Sequence, residues 1–434
     1  MPPWPLKTNP VRVRACPTPG LPGPTSPMKT LFLLWAALPL LALAEPLSLS
    51  DFLTAAEAEN PELRAAAARV DAARTGTPLA NALPDPEISL MYENMGGDSD
   101  LRRIGISQTL PAWGMRDAAG EMSRAESEAA EAGFDQVRAR LRGEVIRRWA
   151  DLATMDAEIS LQQERLALWE TLVAVADARV RGGAPARDLW RAEDRRAMAT
   201  DMLETLHSRR RGMAAGLARL ARQDPGEPLE LPDLTDQSDP TDPTDRSDPS
   251  EEKTPTLRQA AAMESMAKAE AGMARAERRP MLMFMLEQEF AQSGGMGMGE
   301  DATMATVGIS IPLWPGKNRA RIERARARQK AADADTVFMT DMQNADVLMY
   351  RADLADARRR QAFVQEDLLP RAENTLAVTR DAYRAGTAPF TDLLEAEDRL
   401  LQLRLSRILA RRDALRAAAG LETLGFPFDW STQP

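Results

Sequence analysis

The chain has 434 residues, with 55 Lys and Arg against 65 Asp and Glu, one cysteine (Cys16) and one histidine (His207). A formal charge of −10 supplies no basic face, so no nucleic-acid partner is expected. One Cys and one His cannot build a zinc, haem or iron–sulfur centre, so no cofactor and no structural metal is implied, and aromatics at only 5% suit long helices better than a compact mixed core.

Residues 1–27 are rich in Pro and Arg and show no periodicity. Met28-Lys29 then opens a positive start, followed by an apolar run over 31–43 and the small-x-small site Ala42-Leu43-Ala44. This reads as a secretory signal peptide starting at Met28 and cleaved after Ala44. The run is too short for a mature transmembrane helix. Cys16 lies upstream of it rather than at the cleavage site, so no lipid-anchoring cysteine is indicated. Losing Lys7, Arg12, Arg14 and Lys29 takes the charge from −10 to −14 and leaves a chain without cysteine, which suits an oxidising compartment. No later segment is apolar enough for a transmembrane helix, so a membrane span must be made of β-strands.

The first repeat covers 45–233. It opens with an amphipathic helix over 50–74, with Ser50 as its N-cap. Pro84-Asp85-Pro86 breaks the pattern, and strands follow at 87–93 and 101–110, joined by a Gly- and Asp-rich loop. A Pro-free helix is then expected over 113–181. Val145, Leu152, Ile159, Leu166, Val173 and Val180 fall seven apart, with Met155, Gln162, Trp169 and Ala176 as the companion row. The linker 234–253 holds an acidic, Pro-rich stretch at 238–249 and reads as disordered.

The second repeat covers 254–425, before a tail at 426–434. Its strands are expected at 281–290 and 303–311, where Met281, Met283 and Met285 alternate with Leu282, Phe284 and Leu286. Strands of this length suit a tilted membrane span. The second long helix carries Leu348, Ala355, Ala362, Leu369, Leu376 and Tyr383 as its seam, with a kink expected at Pro370. The returning helix carries Leu394, Leu401, Ile408 and Leu415.

The duplication is explicit at the turns. DARVRGGAPARDLWRAED at 177–194 aligns without a gap to DAYRAGTAPFTDLLEAED at 381–398, offset by 204. Ile104-Gly105-Ile106-Ser107 echoes Val307-Gly308-Ile309-Ser310, and Pro61-Glu62-Leu63-Arg64 echoes Pro255-Thr256-Leu257-Arg258. The expected fold is mainly α, with duplicated coiled-coil helical hairpins and four β-strands per chain. Four strands cannot close a membrane barrel, so the chain must oligomerise. A homotrimer gives a 12-stranded β-barrel and an α-helical tunnel.

These features resemble the TolC family of outer-membrane efflux proteins. The resemblance rests on the duplication, on Leu83-Pro84-Asp85-Pro86, on Ile106-Ser107-Gln108-Thr109-Leu110-Pro111, and on Leu369-Pro370 with Tyr383-Arg384-Ala385-Gly386. It implies a non-enzymatic exit duct in the outer membrane of a Gram-negative bacterium, reaching into the periplasm. The implied partners are outer-membrane lipid, a periplasmic adaptor and an inner-membrane transporter, and the pattern is closest to the heavy-metal efflux branch. It also implies that the tips meet the adaptor: Arg181, Gly182, Gly183, Ala184 and Pro185 at one, Arg384, Gly386, Thr387, Ala388 and Pro389 at the other. The same resemblance places an acidic constriction at Asp392 and Glu395, and a tip latch at Tyr383 and Asp188.

Each assignment has a plainer counterpart. Asp392 suits the first turn of a helix, Tyr383 suits core packing, and the 22 Met suit flexible filling of a core as well as soft-metal ligation. A periplasmic coiled-coil adaptor or scaffold is the rival from another class. A type I secretion duct is the rival within the channel class.

Overall fold

The computed structural model describes residues 48–94, 100–224, 254–292 and 301–428. The signal peptide, the stretch at 238–249, the two strand-joining loops, Met296 and Met298 lie outside the described residues.

One plan, a helix, a strand pair, a long helical stretch and a returning helix, occurs twice, with an extra short helix opening the first copy and a break in the long stretch of the second. The first copy is α1 (Leu49–Glu59), α2 (Pro61–Asn81), β1 (Glu87–Asn94), β2 (Asp100–Leu110), α3 (Met115–Arg181) and α4 (Arg187–Ala218). The second is α5 (Pro255–Ala276), β3 (Met281–Gln292), β4 (Ala302–Ser310), α6 (Pro315–Phe363), α7 (Leu369–Arg384) and α8 (Phe390–Leu424). Pro61 and Pro255 each sit in the first turn of their helix, where a missing N–H costs nothing.

The single helix expected over 50–74 is in fact two. Pro61 disfavours helical backbone at Asn60, which takes ψ 123° and ends α1. Asn60 then caps α2, its Oδ1 accepting from Glu62 N at 2.9 Å. The cap of α1 is Ser48, not Ser50: Asp51 N donates to Ser48 Oγ at 3.2 Å.

The four strands form one antiparallel sheet in the order β1-β2-β3-β4, and the β2–β3 pairing joins the repeats. Alternation splits it into two faces. Ile88, Leu90, Ile104, Ile106, Phe284, Leu286, Val307 and Ile309 share one face in cross-strand register. The methionines of β3 lie on the other, with Ser89, Ser107, Glu287, Glu289 and Arg103, whose Nε donates to Glu289 at 2.9 Å. Among the described residues β1 and β4 each leave one edge unpaired.

The 67 residues of α3 make a helix ~100 Å long. It packs against α2, α4, α5 and α8. Its main core gathers Trp149, Ile146 and Leu152 with Phe52 of α1, Leu217 of α4 and Leu415 of α8. Phe426 and Phe428, just beyond α8, are buried against Val347 and Leu354. Among the described residues no helix is long and apolar enough to cross a membrane.

Both seams depart from the sequence reading. In α3 the companion row Met155, Gln162, Trp169 and Ala176 stays buried, while Leu166, Val173 and Val180 become half-buried. A straight helix drifts about 20° per heptad, so a strict seven-residue row rotates off the contact. In the second repeat Leu348 is 66% exposed, and Ala355 and Ala362 are exposed as well. The buried row there is Val347 and Leu354, one residue earlier. A π-helical turn over Val364–Leu368 absorbs the extra residue, and Leu369 and Tyr383 then fall on the inside. Pro370 follows directly, in the first turn of α7. Because it has no N–H to donate backwards, the helical ladder must re-form around it.

Candidate functional site

Both hairpins end in the same backbone device. At the first tip Gly183 N donates to Val180 O and Ala184 N to Arg179 O, each at 3.0 Å. At the second Gly386 N donates to Tyr383 O at 3.0 Å and Thr387 N to Ala382 O at 2.9 Å. These pairs of bonds satisfy the last carbonyls and hold one glycine left-handed, Gly183 at φ 95° and Gly386 at φ 79°.

The sequence match pairs Gly182 with Gly386, whereas the backbone pairs Gly183 with Gly386. Asp188 is therefore the second residue of α4, while its sequence partner Asp392 is the third of α8. One residue is about 100° around a helix, so the two aspartates leave their turns in different directions. Arg181, Gly182, Gly183, Pro185, Arg384, Gly386, Thr387 and Pro389 are exposed, and Ala184 and Ala388 are half-buried.

Tyr383 is 1% exposed and packs in the core beside the tips. Its ring lies 5.5 Å from that of Phe390, which meets Trp169 edge-on at 6.5 Å. Burial pushes the phenol above its usual pKa, the charge of Asp188 pushes the same way, and Arg179 opposes both. Arg179 stacks over the ring at 4.4 Å, a position from which it does not donate to Oη in good geometry, and Oη has no hydrogen bond. Its Nη1 donates instead to Tyr383 O at 3.0 Å, tying α3 to α7. Within one chain, then, Tyr383 and Asp188 feel each other's charge but share no hydrogen bond. Asp188 has Arg187 at 3.8 Å.

Asp392 and Glu395 are exposed, three apart on one helix face. Thr391 Oγ1 lies 3.4 Å from Asp392 Oδ1, and among the described residues neither carboxylate is ion-paired.

One turn further along α8 the acids are neutralised. Asp398 accepts from Arg165 of α3 at 3.1 Å and from both Nη atoms of Arg195 of α4 at 3.2 Å. Arg404 of α8 reaches Glu164 of α3 at 2.8 Å and Glu373 of α7 at 3.2 Å. Between them Glu397 is 6% exposed, with no hydrogen bond to Oε2. Burial raises its carboxyl pKa, and the charges of Arg165 and Arg404 offset only part of that rise. The first repeat's hairpin is thus clamped to the second above the tip.

Sequence reasoning missed Arg179, Arg165 and Arg195, because their partners lie about 200 residues away. One signal existed for Asp398: it closes the Ala-Glu-Asp run shared by both turns.

A four-stranded sheet with one apolar face, joined to long helical hairpins in two repeats, is the architecture that sets the class of this chain. The chain belongs to the outer membrane efflux protein family, whose pattern matches residues 52–219 and 248–425. It is thereby an outer-membrane protein of a Gram-negative bacterium that reaches into the periplasm. The family is one of channels rather than enzymes.

Solved structures share the fold. The outer membrane protein VceC of Vibrio cholerae is 18% identical, with 88% of this chain and 97% of that one covered at a TM-score of 0.73. The MtrE outer membrane channel of Neisseria gonorrhoeae, in its open state, is 20% identical, with 87% and 88% covered at 0.74. CusC, described for folding and transmembrane channel formation, is 18% identical, with 89% and 96% covered at 0.73. No curated protein matches the chain.

Proposed function

We propose that this chain is the exit duct of a tripartite efflux system, working as a homotrimer with a periplasmic adaptor and an inner-membrane transporter. The observation that carries the reading is a four-stranded sheet with an apolar face and two unpaired edges. Lipid offers no partner to an open edge, so β4 of one chain must pair with β1 of the next. Three copies close twelve strands.

The tips then face the adaptor, and Asp392 and Glu395 line the periplasmic constriction. Six unpaired carboxylates around one axis favour cations over anions. That preference supports heavy-metal cations as cargo. Tyr383 and Asp188 act as a latch whose hydrogen bond forms only when neighbouring tips come together.

The test is single-channel recording from the mature chain in planar bilayers. Wild type should give small, cation-selective conductance. The pair Asp392→Asn with Glu395→Gln should lower cation-over-anion permeability several-fold. Absence of any pore would sink the duct, and unchanged selectivity would sink the constriction. Deletion of the gene should sensitise cells to copper, zinc or cobalt, and unaltered resistance to all three would overturn the metal assignment.

A further inference from the structure

Far from the tips, one helix hands over to another. α8 ends at Leu424 and α5 begins at Pro255, which lies directly against Gly425. Cross-links fix the start of α5 on both sides. Gln136 of α3 donates to Thr256 Oγ1 at 3.4 Å, and Thr254 Oγ1 donates to Gln343 Oε1 of α6. The handover leaves a hollow of about 710 Å³ walled by α3, α5, α6 and α8. Hollows that hold small organic ligands run from about 300 to 1,000 Å³.

Its lining is mostly apolar and carries one pattern. Asp335, Met339, Met342 and Asp346 follow one another at four, three and four residues, so they share one face of α6. Met263 of α5 and Val137 of α3 complete the apolar part. The two carboxylates bracket the thioethers, about 16 Å apart along the helix axis.

Those carboxylates are exceptional for this stretch of α6. Nearby acids of α5 have arginine partners: Arg321 takes Glu277 and Arg328 takes Glu270. Among the described residues no cation reaches Asp335 or Asp346. Arg140, the one cation among the described residues of the lining, is taken by Glu62 of α2. The wall also holds an incomplete amide. Gln343 is 2% exposed, and its Nε2 has no hydrogen bond. Whichever way the amide is turned on Thr254, one end lacks a partner, and a buried polar group left so is a cost.

We propose that this hollow binds a lipophilic organic cation. The thioethers are polarisable and adapt to a large apolar or aromatic body. The two unpaired carboxylates set the sign of the charge, because an anion of the same shape would meet their field without compensation. The proposal goes beyond metal ions as cargo and does not rest on that reading, since it is drawn from the lining alone.

The experiment is equilibrium dialysis of the detergent-solubilised mature chain against tetraphenylphosphonium, with tetraphenylborate as its near-isosteric anion. Every variant meets the same micelles, so partition into detergent cancels. Wild type should bind the cation saturably and the borate only as the micelles do. Asp335→Asn with Asp346→Asn should weaken cation binding about tenfold. Glu193→Gln with Asp194→Asn, an equal charge change near the first tip, should leave it unchanged. Met339→Leu with Met342→Leu keeps the volume and should hold binding within about twofold. Ala332→Trp partly fills the hollow and should weaken binding while the helical circular dichroism stays as in wild type. Equal uptake of borate and phosphonium would overturn the proposal, and so would full affinity in the double Asn variant. Silver binding that the double Leu variant abolishes, with no phosphonium bound to wild type, would overturn it in favour of a soft-metal site. The readout is binding rather than current, so failure of the duct reading in bilayers would leave this result standing, and the reverse.

Discussion

The two repeats end in the same turn and carry the same Ala-Glu-Asp run, yet they treat it in opposite ways. In the first, Glu193 and Asp194 are exposed. In the second, Glu397 is buried, and Asp398 is gripped by Arg165 and Arg195, both from the first repeat. Their long helices differ too. α3 runs 67 residues without a break, while its counterpart carries a π-turn before Pro370. Duplication supplied the scaffold twice, and the departures from symmetry hold one copy against the other. The acids left free, Asp392 and Glu395, stand between the tip and that clamp.

Removing the clamp is the strongest way to break this asymmetry. Asp398→Ala strands two arginines that are largely covered by the hairpins. The pair is about one-third exposed, so water screens part of the loss, and the expected destabilisation is about 1–2 kcal/mol. Asp194→Ala, at the matched position, should change stability by less than about 0.5 kcal/mol. Thermal unfolding of the detergent-solubilised protein reads both. Equal losses would mean the repeats are equivalent after all. The Asp398 variant should also open more often in bilayers, because its two hairpins are freer to part.

Much of this architecture was legible in the sequence. Strand positions, the long helices and both turns follow from hydrophobic period, Pro and Gly, and the structure moves their ends by only one or two residues. Three features were not. The break at Asn60 was hidden because Pro61 is equally at home in the first turn of a new helix. The exposed row at Leu348 was hidden because heptad spacing gives a period but not a phase, and a π-turn shifts the phase without any mark in composition. The clamp was hidden because an Arg-rich helix offers many cations, and only packing decides which one meets Asp398. Tyr383 was legible as a core residue: its burial and its ring contact with Phe390 accord with packing, and the latch stays a proposal about neighbouring chains.

A smaller effect tests the register of the turns. Gly183 and Gly386 need positive φ, whereas Gly182 sits at φ −81°. Gly183→Ala and Gly386→Ala should each cost about 1 kcal/mol in thermal stability. Gly182→Ala should cost clearly less, since its Cβ would only press Arg179 O at 3.3 Å. The reverse order would restore the gap-free match at an offset of 204 and put Asp188 and Asp392 in phase.

The smallest effect concerns Glu397, and its sign depends on pH. Burial raises the folded-state pKa above the ordinary 4.5, since the nearby arginines do not compensate fully. Below pH 4.5 the carboxyl is neutral in both folded and unfolded chains, and burial carries no charge penalty. As pH climbs through that value the unfolded chain ionises freely while the folded one resists. Stability therefore falls, then levels off above the folded pKa. Glu397→Gln removes the charge and keeps the shape, so at pH 7 it should stabilise the protein by roughly 1 kcal/mol or less. The gain should shrink to nothing as the pH falls below about 4.5. Glu193→Gln, exposed in the first repeat, should show neither the gain nor the pH dependence. A Glu397→Gln variant that is less stable at pH 7 would mean that Arg165 and Arg404 hold the carboxylate more firmly than burial opposes it, and Glu397 would then belong to the clamp beside Asp398.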